Sequence, residues 1–171
     1  MDIKLVILDV DGTLTDGGIY ISSDGTEIKQ FQAKDGLIVR LLPKFGIQTF
    51  ILTGRDSKLT QIRANDLNIS FVIQGVNNKA DTLARVMAEY NMQPHQTAYI
   101  GDDLNDYAAM KQCGFKACPF DAAEEIKAIS DYVSPYSGGH GAVRDICEHI
   151  LKKDGKYHAL LTMYGIDCAE K

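Results

Sequence analysis

Four short apolar runs are separated by stretches of helical period, and each run ends in a group of polar residues. That alternation constrains the fold more than any other feature. Ile3–Val10, Ile47–Leu52, Phe71–Ile73 and Thr97–Ile100 read as buried strands, and Asp56–Leu67, Lys79–Tyr90 and Leu104–Cys113 as helices with polar outer faces. Strands that alternate with helices across short loops pair in parallel, with helices over both faces. The expected architecture is a doubly wound, Rossmann-like α/β sheet. Gly46, Asn68, Asn91 and Gly114 stand where helices should stop. Pro43, near the end of the helix expected over Gly36–Phe45, removes a backbone donor, so that helix should be short or bent.

One segment departs from the pattern. Ile19–Ile21 and Glu27–Phe31 flank Ser22-Ser23-Asp24-Gly25 and predict a β-hairpin over about residues 17–32, turning at Asp24-Gly25. It falls between the first strand and the first helix. No repeat, Pro-rich linker or low-complexity stretch interrupts the rest, so residues 1–171 are expected to form one domain with a tail over about 156–171. Hydrophobic residues at 45% and charged ones at 24% suffice for a core and exclude a disordered chain. A net charge of −5 argues against a general nucleic-acid binder. The apolar stretch Leu5–Leu8 is too short for a signal peptide or a membrane span, which predicts a cytoplasmic protein with no membrane partner. Cys113, Cys118, Cys147 and Cys168 form no C-x-x-C pair and read as reduced, structural thiols.

The strand ends carry the chemistry. Residues two apart in an extended chain point the same way, so Asp9 and Asp11 of Asp9-Val10-Asp11-Gly12-Thr13 project together beyond the first strand. Open α/β sheets bind ligands at that edge. Adjacent carboxylates repel unless a cation lies between them or one takes up a proton, and such a pair can serve as nucleophile and acid. An Asp-Gly turn accounts for D-x-D-G equally well on its own. The second strand ends at Thr53-Gly54-Arg55, where a hydroxyl, a small residue and a helix start form a phosphate pocket or a plain helix cap. Lys79 opens a helix against its dipole, as a solvated lysine or as a cation for an anion at the strand ends. In Gly101-Asp102-Asp103-Leu104-Asn105-Asp106, three acids suggest a hard cation such as Mg²⁺, or an Asp-enriched helix start.

The order of these motifs along the chain resembles the haloacid dehalogenase superfamily of phosphotransferases. The resemblance implies that Asp9 is a nucleophile forming a phosphoaspartyl intermediate, and that Asp11 is the general acid and then the base. It implies that Thr53 and Lys79 hold phosphoryl oxygens, that Asp9, Asp102 and the main-chain carbonyl of Asp11 bind Mg²⁺, and that Asp106 supports that shell. Asp103 matches no family role and reads as a helix cap. Attack of one anion on another requires the charge neutralisation that such a set supplies. Superfamily members with a cap domain insert it between the first and second motifs or between the second and third. Here the first interval holds only the hairpin and one helix, and the second only one helix and one strand, so a capless enzyme is expected.

Within the capless group, DVDGTLTDGGIYISSDGTEIKQF, KDG, LTGR, QGVNNK, YIGDDLND and GGHGAVRD resemble the 3-deoxy-D-manno-octulosonate 8-phosphate phosphatases. That resemblance implies a Mg²⁺-dependent homotetramer, built through the hairpins, that frees a sugar acid for lipopolysaccharide synthesis. His140 stands where that group commonly has Arg. A sister group acting on nonulosonate 9-phosphates has an acid after Thr-Gly, where this chain has Arg55, and Arg55 favours the octulosonate. Gly54, Arg55, Arg63 and Arg144 are candidates for binding the sugar, although a surface helix arginine accounts equally well for Arg63. Gly138-Gly139-His140-Gly141 reads as a flexible lid or a plain loop. A phosphoacceptor signalling module would need an acid at the end of the third strand, which here is Ile73-Gln74-Gly75. The intact acid set argues against a catalytically dead binding protein.

Overall fold

The computed structural model describes residues 1–69 and 71–166. In chain order the elements are β1 (Leu5–Leu8), a hairpin of β2 (Tyr20–Ile21) and β3 (Glu27–Ile28), α1 (Ala33–Leu41), β4 (Gln48–Leu52), α2 (Lys58–Asp66), β5 (Phe71–Ile73) and α3 (Lys79–Glu89). There follow β6 (Thr97–Ile100), α4 (Leu104–Met110), β7 (Phe115–Cys118), α5 (Glu124–Ile129), β8 (Tyr132–Val133), α6 (Ala142–Lys153) and α7 (Tyr157–Thr162). The main sheet runs β5-β4-β1-β6-β7-β8, with every pair parallel. The chain winds outward from β1 to β5, then returns to the other side of β1. The carboxyl ends of β1 and β6 therefore flank the point where a doubly wound sheet opens a crevice.

Strand alternation divides the interior into two cores. Val6 and Leu8 of β1 face Ile38, Val39, Ala64, Ile146 and Ile150 from α1, α2 and α6. Leu5 and Ile7 face Leu83, Met87, Met110 and Ile126 from α3, α4 and α5. A strand buried on both faces reads as one continuous apolar run, which is why β1 was legible. Strands β7 and β8 were not among the expected ones. Lys116 breaks the apolar pattern of β7, and β8 is two residues long at the sheet edge.

Local chemistry sets the boundaries. The first helix starts at Ala33, earlier than its apolar pattern, because the Gln32 side chain accepts from Lys34 N. It gives way to a 3-10 turn over Leu42–Phe45 at Pro43, and Gly46 closes that turn at φ 75°. Asn68 and Asn91 are left-handed at φ 57° and 52°, as helix stops. Gly114 serves differently: its N–H donates to Pro94 O at 2.7 Å, and a Cβ there would lie 2.6 Å from that oxygen. The hairpin pairs Tyr20 with Ile28 and Ile21 with Glu27, fewer residues than expected, and a bridge from Thr15 to Phe31 closes its base. Its turn forms at Asp24-Gly25, where Gly25 N donates to Ser22 O.

Among the described residues, the intervals flanking Thr53 contain only those short elements, and no cap domain interrupts them. Cys113, Cys118 and Cys147 are buried free thiols, and burial pushes all three up from the usual thiol range. Cys168 lies outside the described residues, as does the end of the tail. Among the described residues, no helix is long and apolar enough to cross a membrane.

Candidate active site

Asp9 leaves the end of β1 with its N–H bonded to Ile100 O of β6 at 3.0 Å, which fixes it at the crevice floor. Asp102 and Asp106 come from the end of β6 and the first turn of α4. One carboxylate oxygen from each of these three acids lies within 4.8 Å of the others. Lys79, at the start of α3, reaches in from the side. Its Nζ stands 2.9 Å from Asp9 Oδ1 and 2.7 Å from Asp106 Oδ1. Although Asp9 Oδ1 has that ion pair, it is buried and accepts no hydrogen bond.

Both oxygens of Asp106 are committed. Oδ1 accepts from Lys79 and from the Tyr99 hydroxyl at 2.7 Å, while Oδ2 accepts from Asp102 N at 3.1 Å and Asp103 N at 3.4 Å. Asp106 is thus a brace under the β6–α4 turn, with Asp103 capping α4 through Leu104 N. Asp102 is held by the Thr13 hydroxyl at 2.9 Å. Gly12 has φ 90°, and a Cβ there would lie 2.0 Å from Asp102 Oδ2, so two independent constraints select glycine.

Electrostatics follow from the crowding. Burial, reinforced by the Asp106 charge and opposed by Lys79, lifts Asp9 to about 7. Burial, with the charges of Asp9 and Asp106, lifts Asp102 to about 8. Burial alone would lower Lys79, but Asp9 and Asp106 outweigh it and raise the ammonium above its usual range. Hard oxygen donors that repel one another, with one buried oxygen left without a hydrogen bond, fit a small divalent cation such as Mg²⁺.

A family model for haloacid dehalogenase-like hydrolases matches residues 52–146. The 3-deoxy-D-manno-octulosonate 8-phosphate phosphatase of Yersinia pestis is 41% identical over 155 residues, covering 91% of this chain and 83% of that one. The chain belongs to the haloacid dehalogenase-like hydrolases. The corresponding phosphatase of Escherichia coli K12 is 38% identical over 155 residues, covering 91% and 82% of the two chains. The crystal structure of the Moraxella catarrhalis phosphatase, in complex with magnesium ion, phosphate ion and KDO, superposes with a TM-score of 0.92. It is 40% identical and covers 95% of this chain and 94% of its own. A cobalt-bound phosphatase from Haemophilus influenzae, 38% identical, has a TM-score of 0.90 and covers 96% of each chain.

In this haloacid dehalogenase-like hydrolase, Thr53 is buried at the end of β4, with its N–H on Ile73 O and its carbonyl accepting from Val76 N. Gly54 and Arg55 follow on the rim. The Arg55 guanidinium pairs with Glu27 Oε1 at 2.9 Å, and its Nε lies 3.9 Å from Asp11 Oδ2. The other two arginines are engaged elsewhere. Arg63 reaches Asp66, donates to Gln32 O at 3.2 Å and lies over the Phe31 ring, crossing the gap that Gly36 leaves in α1. Arg144 pairs with Glu148 at 2.7 Å and lines a separate cavity of about 380 Å³ with Lys34, Tyr136 and His140.

The 138–141 loop is packed rather than open. A Cβ on Gly138 would lie 1.9 Å from Gly12 O, and Gly139 N donates to Thr13 O at 3.2 Å. Of the two readings of this segment, the geometry matches the plain loop, which buttresses residues 12–16.

Thr13, Tyr99, Glu27, Lys29 and Ser57 join the site without having been singled out from sequence. A tyrosine inside an apolar strand needs a partner for its hydroxyl, a signal the sequence carries, and the structure supplies Asp106. Glu27 and Lys29 are two apart in the strand expected over Glu27–Phe31, where alternation puts them on one face, although the observed β3 ends at Ile28. Glu27 accepts from Ser57 and Arg55, and Lys29 pairs with Asp11.

Proposed function

We propose that the chain is a Mg²⁺-dependent phosphatase hydrolysing 3-deoxy-D-manno-octulosonate 8-phosphate to the free sugar acid and phosphate, for lipopolysaccharide precursor synthesis. The observation that carries this reading is a buried Asp9 at the switch point of a capless sheet, flanked by Lys79 and Asp102. The octulosonate phosphatases, similar over nine-tenths of the chain, supply the substrate class. Arg55 on the rim, rather than an acid, disfavours the nonulosonate alternative.

Asp9 attacks phosphorus through a carboxylate oxygen as the bond from phosphorus to the sugar oxygen breaks. Asp11 delivers its proton to that departing oxygen. Ionised Asp11 then takes a proton from water, whose oxygen attacks the phosphoaspartyl phosphorus; the bond to Asp9 breaks and phosphate leaves. Lys79 and Thr53 hold the phosphoryl oxygens, and Lys79 opposes the charge that gathers there. Asp9, Asp102 and the main-chain carbonyl of Asp11 would hold Mg²⁺, which would supply Lewis-acid polarisation of the phosphoryl group. Asp106 fixes Lys79 and the 102–103 backbone.

The enzyme works as a homotetramer in the cytoplasm. A crevice without a cap, a hairpin with exposed isoleucines and buried reduced thiols support that reading. Steady-state kinetics with octulosonate 8-phosphate, several nonulosonate 9-phosphates and an aryl phosphate test the substrate. The octulosonate ester should lead in kcat/KM by roughly 10–10²-fold. A nonulosonate in the lead overturns the assignment.

A further inference from the structure

Asp11 is only partly buried, yet two cations brace it. The Lys29 ammonium pairs with Oδ1, and Arg55 Nε lies 3.9 Å from Oδ2. The two cations differ in kind. The Arg55 side chain is 41% exposed and tied to Glu27, whereas that of Lys29 is 3% exposed. A lysine withdrawn from water on a two-stranded hairpin carries a large desolvation cost, and Asp11 and Glu27 are the anions that offset it. Glu27 lies 3.8 Å from the same ammonium and accepts from Ser57 Oγ at 2.8 Å, which anchors the hairpin strand to the rim beside Thr53.

We infer that Lys29 is the positioning residue of Asp11: from the hairpin, it holds the carboxylate where it can pass a proton to the leaving oxygen and later take one from water. The inference rests on the reading of Asp11 as general acid and base. It gives the hairpin a part in the chemistry and not only in architecture. A group acting through another should lose its effect once that other group is gone. It should also matter most where a proton must be delivered.

The test uses the full chain with saturating Mg²⁺ and four proteins: wild type, Lys29→Met, Asp11→Asn and the double variant. Substrates are octulosonate 8-phosphate, a simple primary alkyl phosphate and 4-nitrophenyl phosphate. Lys29→Met should lower kcat for both alkyl esters about 10²-fold, the scale of a misplaced catalytic group, while KM stays within about threefold. Its first turnover with the aryl ester should keep near wild-type speed, because nitrophenolate leaves without a proton. A stoichiometric burst should follow, since hydrolysis of the intermediate still needs Asp11. In the Asp11→Asn background, Lys29→Met should add less than about threefold.

Additive losses, equal slowing of first turnover for aryl and alkyl esters, or a rise in KM at constant kcat would each overturn the assignment. Should Lys29→Met fail to fold, Lys29→Gln carries the same comparison. Failure of wild type on the octulosonate ester alone would refute the substrate reading, while the two simple phosphates would still decide the role of Lys29.

Discussion

Lys79 Nζ stands 2.7 Å from Asp106 Oδ1, and both side chains are closed off from solvent. The pair is the junction between α3 and α4 beneath the nucleophile. Removing the cation leaves Asp9 and Asp106 to repel each other without water, and breaking a buried pair from one side costs about 3–5 kcal/mol. Lys79→Met should therefore lower unfolding stability by that order in urea titrations and cut kcat by roughly 10²–10³-fold. A variant as stable and active as wild type would remove Lys79 from both roles.

The acid cluster gives the metal-free protein an unusual pH dependence. Asp9 and Asp102 are lifted to about 7 and about 8, above the unfolded carboxylate range near 4. The folded state thus binds more protons than the unfolded one between those limits, so stability falls as pH rises from about 4 to 8. In EDTA, melting temperature should decline over that window, and Asp102→Asn should flatten the decline. Added Mg²⁺ should raise it more at pH 8 than at pH 5.5, because the cation competes with protons. A Mg²⁺ effect independent of pH would contradict this electrostatic picture.

Much of this was legible in the sequence because burial on two faces writes strands as apolar runs, and because Asn68 and Asn91, which tolerate a left-handed backbone, mark helix stops. Asp9 and Thr53 directly follow strands, Asp11 and Asp102 lie within three residues of a strand end, and Lys79 opens the helix after β5, so their position at one sheet edge needed only the parallel topology and short loops. Strand β7 escaped because Lys116 breaks its apolar pattern, and β8 because a two-residue edge strand needs little apolar content. The partners from the hairpin escaped for a different reason. Glu27 and Lys29 are charged residues on a short exposed-looking ribbon, and only tertiary docking onto Ser57 and Asp11 shows that Lys29 is withdrawn from water and Glu27 partly so. The reach of Arg63 to Gln32 O is likewise tertiary and not encoded by periodicity, whereas its pair with Asp66 is a local i,i+3 contact within α2.

Gly12 tests how closely the β1 loop must approach Asp102. Alanine there meets both a left-handed backbone and a 2.0 Å clash with Asp102 Oδ2. The clash is with a side chain that Thr13 holds, so the carboxylate must swing out of the cluster. Gly12→Ala should weaken Mg²⁺ binding in isothermal titration by at least about tenfold, as disruption around a metal ligand commonly does. It should destabilise the fold by about 1–3 kcal/mol through backbone strain. Wild-type metal affinity in this variant would show that Asp102 needs no such fixed position.

The hairpin presents a question of covering. Ile19, Ile21 and Ile28 are each more than half exposed, at 62%, 65% and 57%, and Tyr20 joins them at 45%. A two-stranded ribbon is marginal in water, and exposed edges invite pairing with another strand. Association of the hairpins among four copies would bury those side chains and bring a neighbouring wall over each open crevice. Because these positions touch little within one subunit, substitution there should change the subunit's own stability by no more than about 0.5 kcal/mol. Ile21→Asp combined with Ile28→Lys should therefore yield smaller particles in multi-angle light scattering with intact far-ultraviolet circular dichroism. Turnover of the sugar phosphate should drop more than that of a small aryl phosphate, since only the larger substrate would reach a neighbour's wall. A wild-type chain that is monomeric at assay concentration and still selective for the sugar phosphate would show that the crevice needs no neighbour.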